Sequence, residues 1–278
     1  LLPFAAGVMA LILVSSLFLL AWWKLRGYLK SHSDTLIPII AIGLVLTMAM
    51  VFGQDRLSQS YSQFRTLVGG KQEASRVTLN HQVFAAYRRY NSTNLNKMMQ
   101  RAEAYNAAIA EAAAEFDVDQ NLLQGIAATE SSFKPRDSND GGHGLFQITA
   151  VPTAVMEEAK EHLKADKLAL YDHRHNAFIA AATFKHYLAE MKNDVFLGLL
   201  AYNIGPANGG LRFIMKKYGV TDFITIQPYL QLLPRDYPIR VLSYALAFRL
   251  WQKQGKLPAY EEGNNAMLIQ RIGVPGLP

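Results

Sequence analysis

Apolar positions along the chain fall into four regimes. Residues 1–23 and 35–53 are two uncharged runs rich in Leu, Ile, Val, Ala and Met. At 1.5 Å rise per residue, each is long enough for a hydrocarbon core of about 30 Å. Residues 54–80 turn polar, with Ser58, Ser60, Ser62, Gly69 and Gly70, and predict a connector with room for one helix. From there on apolar residues recur at three- and four-residue spacing, as in Ala102 to Phe116 and Ala177 to Met191, while alternating runs are scarce. This pattern predicts an all-α domain over residues 81–254. The tail, 255–278, carries Pro258, Gly263, Gly273, Pro275, Gly276 and Pro278 and is expected to be extended.

Charge gives the first regime an orientation. Between the two apolar runs, whose predicted spans are about residues 3–23 and 35–53, stand Lys24, Arg26 and Lys30 against Asp34 alone. Short loops with that bias stay in the cytoplasm, so a helical hairpin places everything after Phe52 outside the membrane, with Trp22, Trp23 and Tyr28 as interfacial anchors. A cleavable signal segment and a pair of buried soluble helices are the competing readings. The chain has a formal charge of +6; removing those three bases and one acid leaves +4, which suits an anionic polymer without requiring one. The bases are scattered and no nucleic-acid motif accompanies them, so nucleic acid is not expected as a partner. With no cysteine among 278 residues, disulfide scaffolds and thiolate metal sites are excluded.

One helix concentrates candidate chemistry. Asp117 or Asp119 can cap a helix starting near Gln120, on which Leu123, Ala127 and Glu130 fall on one face. A carboxyl group there, beside apolar side chains and at the negative end of the helix dipole, is expected to have a raised pKa, as a general acid requires.

Four ordered motifs follow: Glu130-Ser131-Ser132-Phe133-Lys134-Pro135, Gly144-Leu145-Phe146-Gln147, Ala201-Tyr202-Asn203-Ile204-Gly205 and Tyr237-Pro238-Ile239-Arg240-Val241. Together they resemble the soluble-type (family 1) lytic transglycosylases, over roughly Asn106 to Trp251. The resemblance implies a lysozyme-like helical domain whose groove holds peptidoglycan glycan strands, with Glu130 as the single acid/base and Tyr237 hydrogen-bonded to it. It further implies that Ser131, Gly144, Phe146, Gln147, Tyr202 and Asn203 line the groove or hold substrate, with Phe146 replacing the usual Met as a wall for a sugar face. No cofactor or metal is implied. The reaction implied cleaves the bond between N-acetylmuramic acid and N-acetylglucosamine without water and leaves a 1,6-anhydro end. The hairpin and the resemblance independently point to the outer side of a bacterial inner membrane as the compartment, with the bilayer, and with envelope or phage machinery, as further partners.

The sequence also departs from the family pattern. The loop between Glu130 and Gly144 is one residue short, and Asp137, Asn139 and His143 replace smaller residues. A carboxylate brought close by that loop, Asp137 or Asp140, could activate water and give a hydrolysing muramidase instead; a wall-docking subunit without chemistry is the other alternative. His173, His175, Asp172 and His162 invite a metal reading, but positions two apart on a helix face different sides. Tyr87, Arg88, Arg89 and Tyr90 read either as a basic aromatic surface or as a solvated helix face. Asn91-Ser92-Thr93 forms a glycosylation pattern whose use depends on the host.

Overall fold

A computed structural model describes residues 2–30, 35, 38, 40–43, 46, 77–206, 210–219 and 221–277, with side chains in the first segment described for Leu13 and Ser16 to Lys30. The chain divides into two compact units, residues 1–76 and 77–278. In the first, α1 spans Leu2–Lys30. Among its described apolar side chains Leu13, Leu17, Phe18, Leu19, Leu20, Trp23 and Leu25 are exposed, while Trp22 is partly covered and Leu29 is buried. Among the described residues no helix is long and apolar enough to cross a membrane. The expected second span and most of the connector lie outside the described residues.

The second unit is helical, and among its described residues the only β-pairing is an isolated antiparallel bridge between His143 and Ile148. Its elements are α2 (77–88), α3 (Ser92–Ala102), α4 (Asn106–Glu115), α5 (Gln120–Ser131), α6 (Thr153–Leu163), α7 (His173–Glu190), α8 (Val195–Ile204), α9 (Leu211–Tyr218), α10 (Phe223–Ile226), α11 (Leu232–Gln254) and α12 (Ala266–Ile272). Two boundaries differ from expectation. Helix is already formed at residue 77, ahead of the domain start expected near 81, and the tail expected to be extended is helical in part. In α12, Ala266 and Ile269 are buried three residues apart, so a short apolar stripe holds this segment helical between its flanking glycines.

The core is continuous and centres on α5, which packs chiefly against α11. Asp119 caps α5 by accepting hydrogen bonds from the Asn121 and Leu122 amides, and its other oxygen accepts from Arg249 on α11 at 2.5 Å. Leu123, Ile126 and Ala127 are fully buried. Gly125 sets how closely the two helices approach: a Cβ there would lie 2.4 Å from the Val241 carbonyl oxygen and 3.0 Å from Ala245. A glycine inside a helix costs about 1 kcal/mol relative to alanine. Here it allows α5 and α11 into contact distance, which brings their side chains together further along.

Candidate active site

Glu130 occupies the penultimate position of α5. The turn after it is unusual: Ser132 and Phe133 both adopt left-handed backbone conformations, with φ of 52° and 57°. Such geometry is uncommon for a bulky residue and persists only when its surroundings over-determine it. The Phe133 ring is buried against Phe248 and Tyr105, with centroids 5.5 Å and 6.1 Å away. Arg101 of α3 donates from Nε to the Ser132 carbonyl at 3.0 Å. The ring and the guanidinium therefore fix the direction in which the end of α5 points.

Tyr237, fully buried on α11, donates its hydroxyl to Glu130 Oε1 at 2.5 Å. Burial pushes the Glu130 carboxyl up to about 7, and the charge of Asp140 pushes the same way; the Tyr237 hydrogen bond and the positive charge of Arg240 oppose it. Desolvation wins because the carboxyl has few groups to replace lost water. The Tyr237 phenol is itself raised well above its ordinary value, first by burial and then by the Glu130 charge, so it remains a donor. Tyr202 is raised in the same way, and the charge of Glu130 reaches it. At neutral pH the site thus offers a carboxyl balanced between acid and carboxylate, with Oε1 engaged by Tyr237 and Oε2 left to carry a transferable proton.

A cavity of about 260 Å³ is lined by Gln147, Tyr202, Asn203, Thr183, Tyr187 and Gly205, so three expected site residues share one wall. Asn203 is exposed at its surface. Gln147, at φ 50°, donates its amide to the Arg136 and Gly144 carbonyls at 2.7 and 2.8 Å, and so also holds the loop that carries it. Gly144, at φ 74°, is buried where a Cβ would lie 2.8 Å from Asn176 and from the Leu170 carbonyl; its part is to let the chain turn.

Two expected residues take other places. Phe146 is completely buried and presents no ring to the cavity; only its backbone serves the site, the N–H donating to Asn176 and the carbonyl accepting from the Tyr202 hydroxyl at 3.3 Å. Ser131 is also buried and donates to the Ala127 carbonyl in its own helix. In each case an adjacent position on a helix or tight turn faces the core when its neighbour faces the groove.

Asn176 was not singled out by the motifs. Its side chain, 1% exposed, donates to the His143 and Leu170 carbonyls and accepts from the Phe146 amide, tying the 143–147 turn to α7. An Asn amid the apolar run of α7 was the sequence signal for it, since buried amides need partners. The four candidate metal ligands have other work. Asp172 caps α7, the His175 ring accepts from the Ala169 amide, His162 pairs with Glu115 at 2.7 Å and His173 lies edge-on to Tyr105. Among the described residues no group of three or more ligating side chains converges.

Solved structures with similar folds include an inactive mutant of the lytic transglycosylase Slt from Pseudomonas aeruginosa, at 21% identity and a TM-score of 0.44, covering 56% of this chain and 25% of that one. Another is the 70 kDa soluble lytic transglycosylase of Escherichia coli, at 18% identity and a TM-score of 0.45, covering 77% and 36% of the two chains. A complex of the 70 kDa enzyme with bulgecin A aligns at 18% identity and a TM-score of 0.45, over 78% and 37%. The present chain therefore spans about a quarter to just over a third of those proteins. No curated protein matches its sequence. Residues 107–215, the stretch that supplies Glu130, Gln147, Tyr202 and Asn203, match the family described as the transglycosylase SLT domain.

Proposed function

We infer that this chain is a peptidoglycan lytic transglycosylase with Glu130 as its acid/base. The observation that carries this reading is the Glu130–Tyr237 pair: a carboxyl held near pH 7 by burial, oriented by a buried phenol, inside a segment that matches the transglycosylase SLT domain. In the acid form, Glu130 gives the proton on Oε2 to the glycosidic oxygen as the bond to the muramic anomeric carbon breaks. The resulting carboxylate then takes the proton of the muramic C6 hydroxyl as that oxygen attacks the same carbon. Glu130 recovers its proton, no water is consumed and a 1,6-anhydro ring closes. Because one carboxyl serves both steps, this chemistry does without the carboxylate pair, about 5 to 9.5 Å apart, that most glycosidases use. Tyr202, Asn203 and Gln147 would contact the sugar hydroxyls and amides.

One observation favours the hydrolytic alternative: the Asp140 charge is close enough to act on Glu130. Asp137, by contrast, is engaged by His143 at 2.9 Å and by the Tyr171 hydroxyl at 3.0 Å. Digestion of purified sacculi followed by mass spectrometry separates the two chemistries, with anhydro ends expected. Reducing ends that vanish in Asp140→Asn would establish hydrolysis instead.

We also propose that the uncharged N-terminal run tethers the chain to a bacterial inner membrane with the second unit on its outer side. The support is the run itself and the bare apolar side chains of α1. A reporter fused after Thr66 that is active only in the cytoplasm would overturn this orientation.

A further inference from the structure

Beside the strained turn that follows Glu130 lies a second cavity, of about 270 Å³. Its lining includes Arg89, Asn91, Asn94, Arg101, Ser132 and Tyr244 and, among the described residues, no acid. The basic aromatic stretch noted in the sequence separates here into different roles. Tyr87 is buried and donates to the Pro258 carbonyl, Arg88 pairs with Glu262 at 2.6 Å, and Tyr90 stacks on Tyr244 at 4.6 Å while bonding Ser243. Arg89 alone is left over, exposed at the cavity and, among the described residues, without an acid partner. Among the described residues Arg101 uses only Nε, on the Ser132 carbonyl, which leaves its two terminal nitrogens for a ligand.

The cavity lies alongside the proposed reaction centre. Ser132 is two residues beyond Glu130, and Tyr237, Arg240 and Tyr244 are spaced to share one face of α11. From Tyr237 to Tyr244 that face advances about 10 Å. Two guanidinium groups without acid partners among the described residues, with amide neighbours, in a recess that begins at the turn after the acid/base, form a receptor for carboxylates, which arginine binds through paired N–H donors. In peptidoglycan the carboxylates hang on the peptide attached to the muramic residue.

We propose that this cavity is a subsite for the free carboxylates of the stem peptide next to the scissile bond, with Arg89 and Arg101 as its anion-binding residues. The proposal rests on the peptidoglycan reading, but its test does not depend on turnover. The Glu130→Gln chain is titrated with the peptide L-alanyl-γ-D-glutamyl-diaminopimelate, either with free carboxylates or fully amidated. The free acid should bind at least tenfold more tightly than the amide. Arg89→Gln should remove most of that preference.

Asn94→Asp supplies a control for misfolding. It adds an acid in the first turn of α3, which favours the helix, yet it places negative charge in the cavity and should weaken peptide binding about tenfold. Equal affinity for acid and amide, or unchanged affinity in Arg89→Gln, would overturn the subsite. Cleavage of peptide-free glycan strands by the unmodified chain decides the transglycosylase reading separately.

Discussion

Glu130 and Asp137 are carboxylates seven residues apart whose surroundings push them in opposite directions. Glu130 sits at the end of a buried helix with one phenol as its neutral partner, and its acid form persists to about pH 7. Asp137 lies on an exposed loop, where His143 and Tyr171 donate to both of its oxygens and hold its pKa below the ordinary carboxylate value. A group of the first kind can give and retake a proton at neutral pH. The second kind is a permanent anion that ties down a loop. Proximity in sequence says nothing about which role a carboxylate takes; the number of donors and the access of water decide it.

The comparison breaks at its first member if Glu130 is dispensable. Glu130→Gln keeps the shape and removes the proton, and should lower release of soluble muropeptides from sacculi at least about a thousandfold, a barrier increase of roughly 4 kcal/mol. Retained release would exclude Glu130 as acid/base.

Stability should register the same carboxyl. Its pKa is raised in the fold from 4.5 to about 7, so the folded chain holds a proton that the unfolded chain has lost between those values. Folding free energy from this group is present below pH 4.5 and is lost as pH rises through 7, by about 3 kcal/mol. Denaturation of Glu130→Gln at pH 5 and pH 8 should show this component gone; an identical pH slope in both proteins would mean that Glu130 is not buried as described.

Tyr237→Phe is a smaller perturbation. The hydrogen bond favours the carboxylate, so its loss should move the high-pH limb of the activity profile upward while lowering kcat about ten- to a hundredfold. A profile that does not move would separate Tyr237 from proton transfer. Smallest of all, Asp137→Asn should change turnover less than about threefold, because a loop anchor is modified and no proton donor is lost. Abolished activity would promote Asp137 to the chemistry and dissolve the contrast.

How much of this was legible in the sequence depended on how far each residue's partner lay along the chain. The shared face of Leu123, Ala127 and Glu130 is local and periodicity gives it; the cap of α5 is local too, though the sequence leaves Asp117 and Asp119 open and the fold selects Asp119. Tyr237 was found only by its motif. The roles of Gly125, Arg101 and Asn176 are not legible in helix spacing, because each acts on a backbone group distant in sequence: the Val241 carbonyl, the Ser132 carbonyl and the 143–147 turn. Phe146 and Ser131 show the converse limit. Their motifs placed them beside the site, yet one step along a turn or helix reverses inside and outside. In α12, the density of Gly and Pro hid a short apolar stripe strong enough to hold a helix.

The Glu130–Tyr237 bond joins positions 107 residues apart, and Tyr237 lies past the end of the stretch that matches the transglycosylase SLT domain. A ribosome therefore finishes the acid long before the phenol. Until α11 emerges and settles against Gly125, no fragment of the chain holds the assembled pair. The proton-transfer pair of the proposed reaction is therefore created by a late event in folding, the docking of one helix, and not by the segment that carries the acid.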